Sequence, residues 1–140
     1  MSDTLSHSLL SPSASQLPVE WYFDEKIFEL EQKVIFEASA NYVGHELMVP
    51  NMNDYRSQEW NDHGRMIIRQ FDGIYEMSNV CRHRQAIMLE GSGNAKNIVC
   101  PIHRWTYDCG GTLAGAPNFA TNPKLALEKK LLENWQGLLF

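Results

Sequence analysis

The sequence predicts a mainly β fold, a small antiparallel β-sandwich or barrel preceded by an N-terminal helical arm. Three observations predict it: short apolar runs broken by turn residues fill the chain beyond Asn41, a stretch with helical apolar spacing precedes them, and the composition suits one core. With 140 residues and 44% hydrophobic content, a chain of this size buries roughly 70% of its unfolded surface on folding.

Residues 1–16 are Ser-rich and unpatterned, and such a segment cannot bury enough apolar surface to offset its ordering entropy, so a disordered tail is expected. Residues 17–40 read as the helical arm. There Asp24 can cap a helix, acids fill its first turn, and Ile27, Phe28, Val34 and Ile35 recur at helical spacing. A structural helix packed on its own domain is the expectation. Residues 41–120 carry the runs YVGHELMVP, DYRSQEW, RMIIRQF, IYEMSNV, NIVC and WTYD, with turns expected at Asn61-Asp62-His63-Gly64 and at Asp72-Gly73. Asp-Gly is a hairpin signal because both central residues of a type I′ turn need positive φ. Residues 121–140 contain LALEKKLLENWQGLLF, whose Leu spacing suits a helix and whose end suits a buried extended run. Leu138, Leu139 and Phe140 close it without cap or polar tail, which reads as a chain leading towards a further domain.

The net charge of -5 argues against a general nucleic-acid binder, because phosphate contacts need concentrated Lys and Arg. No run approaches the roughly 20 apolar residues of a membrane-spanning helix, and the N-terminus lacks a basic n-region followed by an apolar stretch. A cytoplasmic protein without a membrane partner is expected. Cys81, Cys100 and Cys109 are too few and odd in number for a disulfide scaffold, which favours metal binding in a reducing compartment.

Cys81-Arg82-His83 and Cys100-Pro101-Ile102-His103 give Cys-x-His and Cys-x-x-His, each directly after an expected strand. Two such loops can close over one metal centre, each supplying one thiolate and one imidazole. In a [2Fe–2S] cluster with mixed ligands, Cys81 and Cys100 would hold one iron and His83 and His103 the other. Two neutral imidazoles in place of thiolates remove negative charge, so an electron is accepted more easily than by an all-Cys cluster. Each imidazole keeps a second N–H for solvent or a partner, which allows electron and proton transfer to couple. A Cys2His2 zinc site uses the same ligand types and is the bland alternative, although zinc fingers pair Cys with Cys and His with His.

CRHRQA and CPIHRWTYDCGGTLAGAP resemble the two cluster loops of Rieske non-haem iron oxygenases, the large subunits of ring-hydroxylating dioxygenases and related monooxygenases. The likeness runs from about Trp21 to Phe140. It implies the compact Rieske fold for residues 41–120, one [2Fe–2S] cluster per chain, and an extended C-terminal segment leading to a catalytic domain. Respiratory Rieske proteins have a disulfide at the positions of Ala86 and Ile102, and a Ser, which hydrogen-bonds a cluster sulfur, at the position of Trp105; Tyr107 matches a retained Tyr. The loss of that donor lowers the potential. Trp105 beside His103 is a candidate shield for the cluster. Gln85 and Arg104 stand where the family commonly has Gly.

The resemblance implies electron transfer, with a ferredoxin or flavin reductase as donor and the catalytic domain of the same or a neighbouring subunit as acceptor. A mononuclear Fe(II) is expected only in that further domain, because His7, His45 and His63 are the remaining histidines and form no helical pair beside a carboxylate. The parent protein is thus expected to be an oxygenase, while this chain alone hydroxylates nothing. A stand-alone Rieske-type ferredoxin is the alternative. Arg82, Arg84 and Arg104 crowd the His ligands, either as a basic rim for an acidic redox partner or paired with acids nearby. Cys109 reads as a small buried hydrophobe, His45 as a core histidine and His63 as a turn residue. Trp21, Trp60 and Trp135 read as core or interface aromatics.

Overall fold

A computed structural model describes residues 17–60 and 62–140. The expected tail over residues 1–16, with His7, and Asn61 of the first expected turn lie outside the described residues. The chain divides into two compact units, one reaching Asn41 and the other spanning Tyr42–Phe140.

In the first unit Val19–Tyr22 forms a 3-10 turn, α1 spans Glu25–Glu31, and Gln32–Phe36 continues as a π-helical turn. Asp24 caps α1 as expected, its carboxylate accepting from Lys26 N at 2.8 Å and Ile27 N at 3.4 Å. No residue of these three elements is buried, and Phe28, Val34 and Ile35 are 58%, 59% and 53% exposed.

The second unit is built from short antiparallel strands, in keeping with the mainly β expectation. β1 is Gly44–His45, β2 Asp54–Gln58, β3 Asp62–Gln70, β4 Gly73–Ser78, β5 Ser92–Asn94 and β6 Asn97–Val99. β7 is Thr106–Asp108, β8 Leu113–Gly115, β9 Lys129–Leu131, β10 Asn134–Trp135 and β11 Leu138–Leu139. They form sheets ordered β5-β2-β3-β4-β9, β6-β7-β8 and β1-β11-β10.

β3 explains why the unit holds together. Met66, Ile67 and Ile68 are consecutive and wholly buried, which a half-solvated strand would not allow; alternating side chains here enter apolar clusters on opposite faces. Met66 and Ile68 join Met77, Ile98, Tyr107 and Leu113, so one face of the five-stranded sheet packs on β6-β7-β8. Ile67 joins Val49, Ile74, Leu132 and Leu139 on the other, beside β11. Leu139 is thus core, with Leu138 and Phe140 half-buried beside it in sequence.

Two local expectations need correction. Asp62, His63 and Gly64 lie in β3, because Gln58 pairs with Asp62 and the reversal comes before them. The β3–β4 reversal is centred on Phe71-Asp72, with Gln70 paired to Gly73, and neither central residue has positive φ. Type I′ geometry occurs instead between β10 and β11, where Gln136 and Gly137 have φ of 51° and 92° and Trp135 pairs with Leu138. A Cβ on Gly137 would also lie 2.7 Å from His45 Nε2. The C-terminal segment is extended, as the resemblance implies.

Two predictions follow from this packing. Ile67→Ala should cost about 2–5 kcal/mol in urea unfolding, the usual range for such a truncation in a filled core. Asp54 accepts from Asn94 Nδ2 at 2.8 Å and Asn51 N at 2.7 Å, and these bonds, that from Asn94 foremost, hold its carboxyl below the usual range. Its contribution is therefore present above the unfolded-state value and lost as pH falls below about 4 through the lowered value. Urea midpoints between neutral and acid pH should fall less steeply in Asp54→Asn than in the parent.

Candidate metal centre

The two motif loops are closed by matching backbone bonds. Cys81 N donates to Ala86 O at 2.9 Å and Gln85 N to Cys81 O at 2.9 Å. Cys100 N donates to Trp105 O at 2.8 Å and Arg104 N to Cys100 O at 3.1 Å. Each loop therefore returns to its cysteine within five residues. The turn is made at the fourth residue after each Cys, where Gln85 and Arg104 have φ of 55° and 61°. These positions keep the left-handed backbone that glycine favours while carrying side chains, at about 1–2 kcal/mol of strain each.

Both cysteines belong to the main core, Cys81 at 0% and Cys100 at 1% exposure, and both are free thiols. His83 and His103 are half-buried, their ring centroids 4.7 Å apart. The histidines pair with each other at the rim while the cysteines sit in the interior. His83 Nδ1 is buried without a hydrogen-bond partner, so a lone pair or N–H there points at something the chain does not supply. Burial, and then the neighbouring His103 and Arg84, hold the His83 imidazole below its ordinary pKa, which keeps it neutral as a metal ligand must be.

Among the described residues no group of three or more His, Cys, Asp or Glu side chains could hold a single metal ion. A structural zinc gathers its four donors around one ion; a Rieske cluster divides them between two irons. An orphaned Nδ1, two adjoining imidazoles and two buried thiols fit the divided arrangement.

Supporting side chains surround the loops. Tyr107 is wholly buried, its hydroxyl 3.6 Å from Cys81 Sγ and accepting from Arg82 N at 3.0 Å. Burial foremost, then the contact with Cys81, pushes the Tyr107 phenol well above its usual range, so it stays protonated and can donate to the sulfur. Trp105 is 2% exposed and stacks on His83, with centroids 4.8 Å apart and planes 8° from parallel. Arg82 pairs with Glu128 at 3.7 Å, an exposed and therefore weak contact. Among the described residues Arg84 and Arg104 form no ion pair and stand exposed beside the histidines. Ala86 is half-buried against the main core and Ile102 is exposed.

The sequence reading missed two residues. Asn79 is wholly buried, its side chain donating to Leu89 O at 2.7 Å and His63 O at 3.3 Å and accepting from Leu89 N at 2.9 Å. It clamps both ends of the first loop to β3; a lone Asn two residues before a ligand carried no pattern to find. Phe119 lies edge-on to His83 at 5.7 Å and to Trp105 at 5.2 Å. Of the weaker candidates, His45 caps the Glu46–Met48 turn by accepting from Leu47 N at 3.1 Å, so it is no core histidine. His63 is exposed on β3, Cys109 packs half-buried against the main core, and Trp21, Trp60 and Trp135 are exposed.

The family model described as Rieske [2Fe-2S] domain matches residues 39–132. Putrescine 2-hydroxylase of Ralstonia nicotianae is 54% identical over 131 residues, covering 94% of this chain and 36% of that protein. Biphenyl 2,3-dioxygenase subunit alpha of Rhodococcus jostii is 33% identical over 141 residues, covering 94% of this chain and 30% of that protein. A solved quaternary ammonium Rieske monooxygenase, whose structure bears on carnitine oxidation and inter-subunit electron transfer, superposes with a TM-score of 0.73 at 31% identity, covering 86% of this chain and 35% of that one. The chain belongs to the Rieske [2Fe–2S] domain family, in the branch carried by Rieske non-haem iron oxygenase large subunits. Its cofactor is a Rieske [2Fe–2S] cluster, and it spans about a third of the length of the relatives it matches.

The two left-handed loop residues give a stability test. Gln85→Gly and Arg104→Gly relieve about 1–2 kcal/mol of strain and lose about 0.4–1 kcal/mol to a freer unfolded chain. Each should therefore melt at or slightly above the parent temperature, whereas Gln85→Val, β-branched at positive φ, should melt below it.

Proposed function

We propose that Cys81 and Cys100 hold one iron, that His83 and His103 hold the other, and that the domain relays electrons inside a larger oxygenase subunit. The observation that carries the ligand assignment is the buried, partnerless His83 Nδ1 beside a second histidine and two core cysteines. When bound, the cluster accepts and passes on one electron at a time. The chain buries the two thiols, holds the two imidazoles side by side at the rim, and leaves Arg84 and Arg104 free to meet an acidic donor such as a ferredoxin or flavin reductase. The acceptor is a mononuclear Fe(II) on a catalytic domain of the same or a neighbouring subunit. Inter-subunit transfer in the related quaternary ammonium monooxygenase supports the second route.

The oxygenase relatives favour this reading over a stand-alone ferredoxin. Identity is much higher to the diamine hydroxylase than to the biphenyl enzyme, 54% against 33%, which supports a small aliphatic amine as the parent's substrate. The parent would act in the cytoplasm; no described helix is long and apolar enough to cross a membrane.

Metal and sulfide analysis of the purified chain tests the site. Iron and acid-labile sulfide in equal amounts, with a brown colour bleached by dithionite, are expected; one zinc without sulfide would sink the assignment. Cys81→Ala or His83→Ala should abolish the colour. His103→Cys, where a cluster assembles, should lower the potential by adding thiolate charge.

A further inference from the structure

Two buried nitrogens beside the loops lack partners, His83 Nδ1 and Trp105 Nε1. The ligand assignment accounts for the first. The second is an indole N–H, a donor with no acceptor capacity. Trp105 is only 2% exposed, so its N–H is sealed from solvent. The indole is held in place: its backbone carbonyl receives the loop-closing bond from Cys100 N at 2.8 Å, and its ring lies 4.8 Å from His83 and 5.2 Å from Phe119. A buried donor that meets no acceptor forfeits what its bond to water was worth, and native folds seldom leave one so. The described residues offer it no acceptor, cysteine sulfur included. What the loops are built to enclose is rich in anionic sulfur.

We propose that Trp105 Nε1–H donates a hydrogen bond to an inorganic sulfide of the cluster, making Trp105 a residue that tunes the potential as well as a shield. This rests on the ligand assignment above. It reverses the expectation that Trp in place of a hydroxyl residue leaves this position without a donor. A donor to sulfur favours the more negative, reduced state and so raises the potential. Tyr107, 3.6 Å from Cys81 Sγ, supplies a hydroxyl at a separate point.

The test uses the full chain carrying its cluster, with the indole nitrogens labelled with nitrogen-15. In the dithionite-reduced protein, pulsed EPR should detect one indole nitrogen coupled to the cluster, with an exchangeable proton. Trp105→Phe should lose that coupling, whereas Trp60→Phe and Trp135→Phe, at exposed positions, should keep it. Incorporating benzothienylalanine in place of Trp105 retains ring shape and stacking and removes only the N–H. That protein should keep the cluster spectrum and hold roughly fivefold less reduced cluster at a fixed poise, the scale of one net hydrogen bond. No indole coupling in the parent, or an unchanged potential in the isosteric protein, would overturn the proposal. A normal cluster spectrum in His83→Ala would overturn the ligand assignment instead, and the two failures are distinct because one alters the potential and the other the presence of the cluster.

Discussion

The hydrogen bonds from Cys81 N to Ala86 O and from Cys100 N to Trp105 O are the constraint on which the metal centre depends. Each folds a loop back on its own cysteine, which drives the thiol inward and leaves the histidine two or three residues later at the rim. The bend demands a left-handed residue at the fourth position, and Gln85 and Arg104 accept that strain. Without the closures the four donors would have no common enclosure, and the stacking of Trp105 on His83 across the two loops would have no fixed geometry.

The closures hold because the loops are rooted in the core. Cys81 and Cys100 share their cluster of side chains with Met66, Ile68, Ile98 and Tyr107, so the same apolar burial that stabilises the domain also fixes the two thiols. Asn79 adds a polar clamp with its side-chain oxygen and nitrogen both used, which is the condition under which a buried amide stabilises rather than costs. The charged residues lie outside this framework. Arg84 and Arg104 sit on exposed loop positions, where charge affects encounter with partners more than stability.

The two candidate loops stood out because Cys-x-His and Cys-x-x-His are local patterns, and each follows a strand marked by β-branched or apolar residues, as in NIVC. Asp24 was legible as a cap for the same local reason. The turns were less so: Asp72-Gly73 carries type I′ chemistry, yet pairing of Gln70 with Gly73 shifts the reversal back by one residue, while Gln136-Gly137 adopts that turn because β10 and β11 pair there. Register is a property of two strands together. Asn79 and Phe119 were hidden for a related reason, since their roles arise from contacts with residues ten or more positions away. The arm's apolar spacing was read correctly as helical, but spacing says nothing about what covers the face, and none of its residues is buried.

The opposed faces of β3 carry a consequence for how such a domain can change. Met66 and Ile68 look toward the cysteines, whereas Ile67 looks toward Val49 and Leu139. A change at Ile67 therefore acts on stability away from the cysteines, whereas a change at Met66 or Ile68 acts on stability and on the packing of both thiols together. One face of the strand is open to drift in heat tolerance alone, and the other is not.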